Sequence, residues 1–445
     1  MLGNSLGSVV KSSQSYLDPI PGVTNQNAIH RLSQFQSEIT STGIDIVAFG
    51  DSILGTIPNI AGSEARNYYS MIAVARRILQ QRLNPASVPG GMGFVHLTNG
   101  SSFARNADPI NSADPLTATD TYTNGASADG VGGRMTQVKS GATRYFGALL
   151  RGDTTPTSNY LPSDKTRIKS FRVIARIYSG GPTVRVDAAV ASWAAAGAGS
   201  VTGTFDTNNA TTIYGAKSGV FTLASDTVHN RIIARGGAAG NDAYIDGYFL
   251  YNLDQSSGIR VSEIGNPGAK WSDWSANSLT ATIGSSATRA NHYLANPRVA
   301  ILSSLINDGN NYPTTSVATF KANARNVIQK CVDEGMNVIY VIPPKPIISA
   351  FYDIAGDAGL SVYTNGYLPM VAAVRELVAE FPSRLTILDL GFMNDYAAYA
   401  DVATKNVANG ITESTSTLVH LGIPGHNLAG KALADLIYRG LTLSV

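Results

Sequence analysis

Ser52 is the residue around which chemistry can be built in this chain. It stands in IDIVAFGDSILGT (residues 44–56), where apolar and β-favouring residues run straight into Gly50 and Asp51. This pattern predicts a buried strand, a sharp turn and then a helix. A serine just past the carboxyl end of a parallel strand lies where open α/β sheets bind ligands. Its hydroxyl becomes a nucleophile when a neutral imidazole takes its proton. Gly50 lets the backbone turn, Asp51 can hydrogen-bond its own turn, and the N–H groups of the following helix face any negative charge that develops nearby. Gly-Asp-Ser is also ordinary turn chemistry, so the reading needs support from the other strand ends. Three later segments offer Gly268 in GNPGA, Asn307 in LINDGNN and His420 in TLVHLGIPGHNLAG.

The elements that must carry these residues follow from periodicity. A chain of 445 residues implies two domains, or one domain with a large insertion. Residues 1–43 read as an N-terminal arm, with a short amphipathic stretch at Ala28–Ile39. Residues 44–140 read as the first part of an α/β domain, in which Tyr68–Leu83 repeats apolar residues at three and four and predicts a covering helix. Beyond Asn84 the periodicity is lost in Gly, Asn, Asp, Ser and Thr, and Pro89–Val95 reads either as a tight turn or as cleft lining. Residues 141–257 change character: SFRVIARIY, TVRVDAAVASW, GVFTLA, NRIIARG and YIDGYFLYNL are short alternating runs, separated by turn residues. They predict an inserted antiparallel β-sandwich. Its tyrosines or Trp193 could contact a glycan, and a structural lid or an oligomer interface is the alternative. The α/β pattern resumes over residues 258–445, with strands at Gly258–Gly265, Pro297–Leu305, Asn337–Ile342 and Arg384–Leu390. Helices are expected near Ser316–Glu334, Tyr367–Phe381 and Gly425–Leu441. Strands alternating with helices of this length predict a parallel sheet covered on both faces.

Composition narrows the functions. Charged residues are only 14% of the chain and the formal charge is +2, which provides no field for nucleic acid or a membrane surface. No run approaches the roughly 18 apolar residues of a membrane span. Cys331, the single cysteine, excludes an internal disulfide and falls in a helical pattern as a core thiol. His30, His96, His229 and His292 are scattered without metal-ligand spacing, so no metal and no cofactor are expected. No acidic pair stands out at the strand ends, which argues against glycoside hydrolysis by two carboxylates. The amino terminus, MLGNSLGSVVKSSQ, lacks a basic stretch followed by an apolar one, and no secretory leader is expected. The uncharged, Gly-, Asn- and Thr-rich surface suits an extracellular or virion-associated protein, reached by another route such as assembly into a particle.

Taken together, the four segments resemble the SGNH, or GDSL-type, esterases and lipases, whose blocks occur here in the family's order from residue 44 to the end. The resemblance implies a flavodoxin-like three-layer α/β/α fold with a parallel sheet; the inserted β region lies outside it. It implies a serine esterase in which Ser52 is the nucleophile and His420 the general base. The backbone N–H groups of Ser52 and Gly268 and the side-chain amide of Asn307 would hold the oxyanion. His426, six residues on, is the alternative base, although its spacing fits a first-turn residue of the last helix.

Two positions depart from the family pattern. The family has Asp three residues before its histidine, and here that position is Thr417. Either a Ser-His dyad operates or Thr417, Glu413, a backbone carbonyl or a loop acid orients the ring; a hydroxyl cannot stabilise an imidazolium as a carboxylate would. Leu305 stands where the family has Gly, two residues before Asn307. The family spans lipids, thioesters, peptides and acetylated sugars. Trp271 and Trp274, in KWSDW just past Gly268, suit stacking on a sugar, and no apolar lid of a lipase is present. The favoured expectation is O-deacetylation of an extracellular or cell-surface polysaccharide, with an acylated carbohydrate as the partner and a homo-oligomer as an open option. Tail spikes of bacterial viruses carry similar modules. The alternatives are an inactive glycan-binding or adhesion module and a lysophospholipase or thioesterase.

Overall fold

The computed structural model describes residues 20–55, 70–83, 93–96, 124–125, 135–138, 145–149, 170–188, 201–223, 231–235, 241–251, 257–265, 268–275, 296–344, 361–393 and 421–442. Five parallel strands form its centre: β1 (Ile44–Gly50), β2 (Ile259–Gly265), β3 (Pro297–Ser303), β4 (Asn337–Ile342) and β5 (Leu385–Asp389). Their spatial order is β2-β1-β3-β4-β5, the doubly wound arrangement whose ligand crevice opens beyond the strand ends flanking the first strand. Every residue of β1 and of β4 is buried. A strand covered on both faces needs near-continuous apolar runs of this kind, broken here only near their starts by Asp45 and Asn337.

Helices α1 (Met71–Leu83), α2 (Val317–Asp333), α3 (Leu368–Glu380) and α4 (Ile423–Thr442) follow the expected periodicity within a few residues. They form two groups, α1 with α4 and the 3₁₀ helix Gln26–Thr40, and α2 with α3. In α2 the buried positions Phe320, Ala324, Val327, Ile328 and Cys331 recur at three and four. The Ser316 hydroxyl caps this helix by accepting the Thr319 N–H at 3.1 Å, as an N-cap serine does. Cys331 is a buried free thiol whose pKa burial pushes up.

The antiparallel region has two layers. Ser170–Ile177 lies between Ala243–Tyr251 on one side and Ile213–Lys217 and Phe221–Thr222 on the other. A second sheet runs Tyr145–Leu149, Arg231–Arg235, Thr183–Ala188, Val201–Asp206. Phe171, Val173, Val184, Val186, Phe221 and Tyr248 fill the space between them as a core of their own. The first of these sheets continues into the parallel one. Gly93–His96 pairs antiparallel with Ala243–Tyr251 and parallel with β2. Strands from ahead of residue 141, Asn124–Gly125 and Met135–Val138, also join it.

Away from the strand ends that carry the chemistry, the start of β1 holds a buried ion pair. Arg260 Nε donates to Asp45 Oδ1 at 2.6 Å, both side chains being at most 1% exposed, and the Asn296 N–H donates to Asp45 Oδ2 at 2.7 Å. Removing one partner leaves the other charge buried and uncompensated, so Asp45→Ala should destabilise the fold by about 3–5 kcal/mol. Urea unfolding of the variant against the parent measures this loss.

Candidate active site

Strand register brings three of the expected segments to one rim. Gly50 pairs with Gly265 of β2 and with Ser303 of β3, all parallel. The three chains therefore leave the sheet at the same level. Ser52 comes two residues after this level, Gly268 three and Asn307 four. A Cβ on Gly50 would sit 1.7 Å from the Ser303 carbonyl oxygen, so only glycine lets β1 and β3 meet there. Gly268 has φ +82° with open space around it. Its requirement is conformational rather than steric.

Two buried carboxyls tie these turns together. Asp51 Oδ1 accepts the Ile53 N–H at 2.9 Å, the local turn expected of it, and its Oδ2 accepts the Leu305 N–H at 3.3 Å. The Asp51 N–H in turn donates to Ser303 O at 2.7 Å. Leu305 is fully buried; in the position where the family has glycine, its backbone serves as a strut to the nucleophile turn. Asp308 Oδ2 accepts the Trp271 N–H at 2.9 Å and the Ser304 hydroxyl at 3.3 Å. The Asn307 amide spans the same gap, donating from Nδ2 to Ala269 O at 3.2 Å. Ala269 is the residue directly after Gly268, so the two expected oxyanion donors are held against each other. An amide nitrogen carries two hydrogens, and one of them remains for a ligand.

Burial lifts the pKa of Asp51 to about 7 against the opposing N–H bonds from Ile53, Leu305 and Ile306. Burial also lifts Asp308 to about 7, against the Trp271 and Ser304 bonds and aided by the charges of Asp51 and Asp273. The sequence shows no acidic pair at the strand ends; folding creates one. Both carboxyls are completely enclosed and serve as brackets rather than as an acid and base open to substrate. Between about pH 4 and pH 7 the native state holds protons on both that the unfolded chain, with Asp near 3.9, releases. Their contribution to stability is therefore full below about pH 4 and is lost as pH rises through 7. Asp308→Asn should remove about half of that pH dependence, which is read as the difference between variant and parent urea midpoints at pH 5 and pH 8.

The tryptophan expectation is overturned. Trp271 and Trp274 lie in the short helix Trp271–Ser275 and are both 0% exposed. Trp271 Nε1 donates to the Tyr340 hydroxyl at 2.9 Å, and Tyr340 donates to Ser304 O at 2.7 Å. Trp274 packs on Phe49 with ring centroids 5.1 Å apart. Both indoles support the site from beneath, and neither face is open to a sugar.

His426 falls in the first turn of α4 and is 1% exposed. Its Nδ1 accepts the Met71 N–H at 3.1 Å, so the lone pair a general base would use is engaged at the junction of α1 and α4. In the neutral ring the proton then resides on Nε2. His420, Thr417, Glu413 and Trp193 lie outside the described residues. Among the described residues no group of three or more His, Cys, Asp or Glu could hold a metal ion, and no helix is long and apolar enough to cross a membrane. Asp308, Ser304 and Tyr340 escaped sequence reasoning. Asp308, adjacent to Asn307 in LINDGNN, had the one available signal, a carboxylate at the end of a buried strand.

No protein-family model and no curated protein sequence matches the chain. Solved structures do. A peptidoglycan O-acetylesterase aligns over 94% of this chain and 98% of its own with TM-score 0.56 at 14% identity. The two share a fold, a mainly parallel α/β sheet joined to antiparallel sheets, consistent with an SGNH fold plus an extra domain. The alignment runs through the antiparallel sheets as well, so the likeness in fold extends over nearly the whole chain rather than the SGNH core alone. A Bacillus subtilis protein, YXIM, aligns with TM-score 0.33 at 15% identity over 79% of this chain and 99% of its own. Axe2, an acetylxylan esterase from Geobacillus stearothermophilus, aligns with TM-score 0.26 at 17% identity over 42% and 74%. Scores of that size add nothing to the assignment of the SGNH fold.

Proposed function

We propose that the chain is a serine esterase that removes O-acetyl groups from a polysaccharide through an acyl-enzyme. The observation that carries this reading is the tie between Asn307 and Ala269, with Asp51 bridging the turn before Ser52 to Leu305. It supports a preorganised oxyanion site beside a half-buried serine. In the proposed reaction Ser52 Oγ attacks the acetyl carbonyl carbon as His420 takes the hydroxyl proton. The carbonyl oxygen, now negative, is held by the N–H groups of Ser52 and Gly268 and by Asn307 Nδ2. Collapse expels the sugar oxygen, which receives the proton from His420. Water then repeats the sequence on the acetyl-serine and releases acetate.

The carbohydrate substrate is supported by the whole-chain likeness in fold to a peptidoglycan O-acetylesterase. Acetate release distinguishes the readings. Acetylated xylan and O-acetylated peptidoglycan should both be tested against p-nitrophenyl palmitate. Preference for acetylated glycan supports the proposal, and preference for the long acyl chain replaces it with a lipid or thioester hydrolase. Hydrolysis of none of them leaves an adhesion module on the same fold.

A further inference from the structure

The face of the antiparallel sheet turned away from its own core carries a group that the ester chemistry does not use. In Ser170–Ile177, Phe171 and Val173 point into the sandwich core, and alternation along the strand puts Arg176 on the opposite face. Tyr244 is its direct cross-strand partner, Tyr178 follows two residues later, and Tyr214 comes from the neighbouring strand. The guanidinium carbon lies 5.1 Å from the Tyr244 ring centroid, 5.2 Å from that of Tyr178 and 5.6 Å from that of Tyr214. Irregularities in strand register, between Ile245 and Gly247 and between Ile213 and Ala216, flank the group. Such bulges re-aim side chains. The Tyr178 hydroxyl donates to the Asp242 carbonyl at 2.5 Å, and its ring meets that of Tyr244 edge to face at 5.6 Å. The aromatic frame is thus fixed before any ligand arrives.

One donor of this arginine lacks a partner. Its Nε is buried without a hydrogen-bond partner, and among the described residues no carboxylate lies within ion-pair distance of it. A guanidinium has five N–H donors in a planar fork that matches a carboxylate. Three half-buried tyrosine rings around one such fork combine stacking area with a fixed cation. We propose that Arg176, Tyr178, Tyr214 and Tyr244 form a second binding site, which takes a sugar chain bearing carboxylate groups. The rings stack on the sugar and the guanidinium donates to its acid. The choice of a carbohydrate rests on the esterase reading; the requirement for an anion rests on Arg176 alone. A nucleic acid fits poorly, since one cation cannot replace the several phosphate contacts such binding needs and the chain carries only +2 overall.

Calorimetric titration of the full chain with polygalacturonate, alginate and hyaluronate oligosaccharides tests the site, with fully methyl-esterified polygalacturonate as the uncharged control. Saturable binding to at least one acidic chain is expected, with the ester form at least about tenfold weaker than its acid. Arg176→Met, which keeps the apolar stem, and Tyr244→Ala should each weaken binding about tenfold or more, the equivalent of one lost charge-assisted or stacking contact. Arg176→Lys keeps the charge without the fork and should fall between. All three should retain the parent's turnover of p-nitrophenyl acetate, which also reports that they are folded. No binding by the parent chain to any acidic oligosaccharide overturns the proposal, as does equal binding of the methyl ester or unchanged affinity in Arg176→Met. Ser52→Ala should bind like the parent. Binding without esterase activity in the parent would sink the esterase reading alone, and activity without binding would sink only this second site.

Discussion

Alanine in place of Ser52 should lower kcat/KM for p-nitrophenyl acetate by about 10⁴- to 10⁶-fold, the scale seen when an attacking hydroxyl is removed from a serine hydrolase. Ser52 is half-buried at the start of the short helix Ser52–Gly55, and Asp51 holds the turn beside it through the Ile53 and Leu305 N–H groups. The urea midpoint should consequently stay within the usual small range of a surface substitution. Loss of rate with retained stability separates a nucleophile from a structural serine. The two histidines divide in the same assay. His420→Ala should lose rate on the scale of Ser52→Ala. His426→Ala should chiefly lose stability, because its Nδ1 satisfies a buried backbone N–H that joins α1 to α4. A variant at His426 with normal stability and the full loss of rate would reassign the base to it.

The parallel sheet was legible because each strand and helix there is long, periodic and punctuated: Asn337–Ile342 is a strand with the bounds its pattern predicts, and Ser316 caps the helix that its position announces. The antiparallel region was legible as strands but not as a sheet order. Nothing local in GFVH tells that Gly93–His96 joins β2 to Ala243–Tyr251, since that depends on pairings more than a hundred residues apart. For the candidate site, residue types and order pointed to Ser52, Gly268 and Asn307, whose strands end at one level. Burial was the missing quantity. Trp271 and Trp274 look like a sugar platform in one dimension, whereas a helix of five residues turns both indoles inward against Tyr340 and Phe49. Asp51 and Asp308 lie more than 250 positions apart and become electrostatic neighbours only because β1 and β3 are adjacent.

Asn307→Ala is expected to lower kcat by about 10²- to 10³-fold with little change in KM, the cost of removing one oxyanion donor. The split between the two constants follows from when the bond matters. A neutral ester carbonyl draws little from the amide, while the negative oxygen of the tetrahedral intermediate draws strongly, so the interaction is made mainly in the transition state. A loss of fold could mimic a fall in kcat, because Asn307 Nδ2 also bonds Ala269 O. Asn307→Asp resolves the two. Its carboxylate keeps a similar size but cannot donate when ionised and places a negative charge beside the developing oxyanion, so its kcat should fall below that of the alanine variant. If Asn307 served only to hold the Ala269 turn, both variants would instead lose stability and rate in parallel, and the residual rate would track the folded fraction measured by circular dichroism. Asp308, one residue on, supplies the contrast: Asp308→Asn retains an oxygen for the Trp271 N–H and touches no reacting atom, so its kcat should remain within a few fold of the parent while its stability profile with pH flattens.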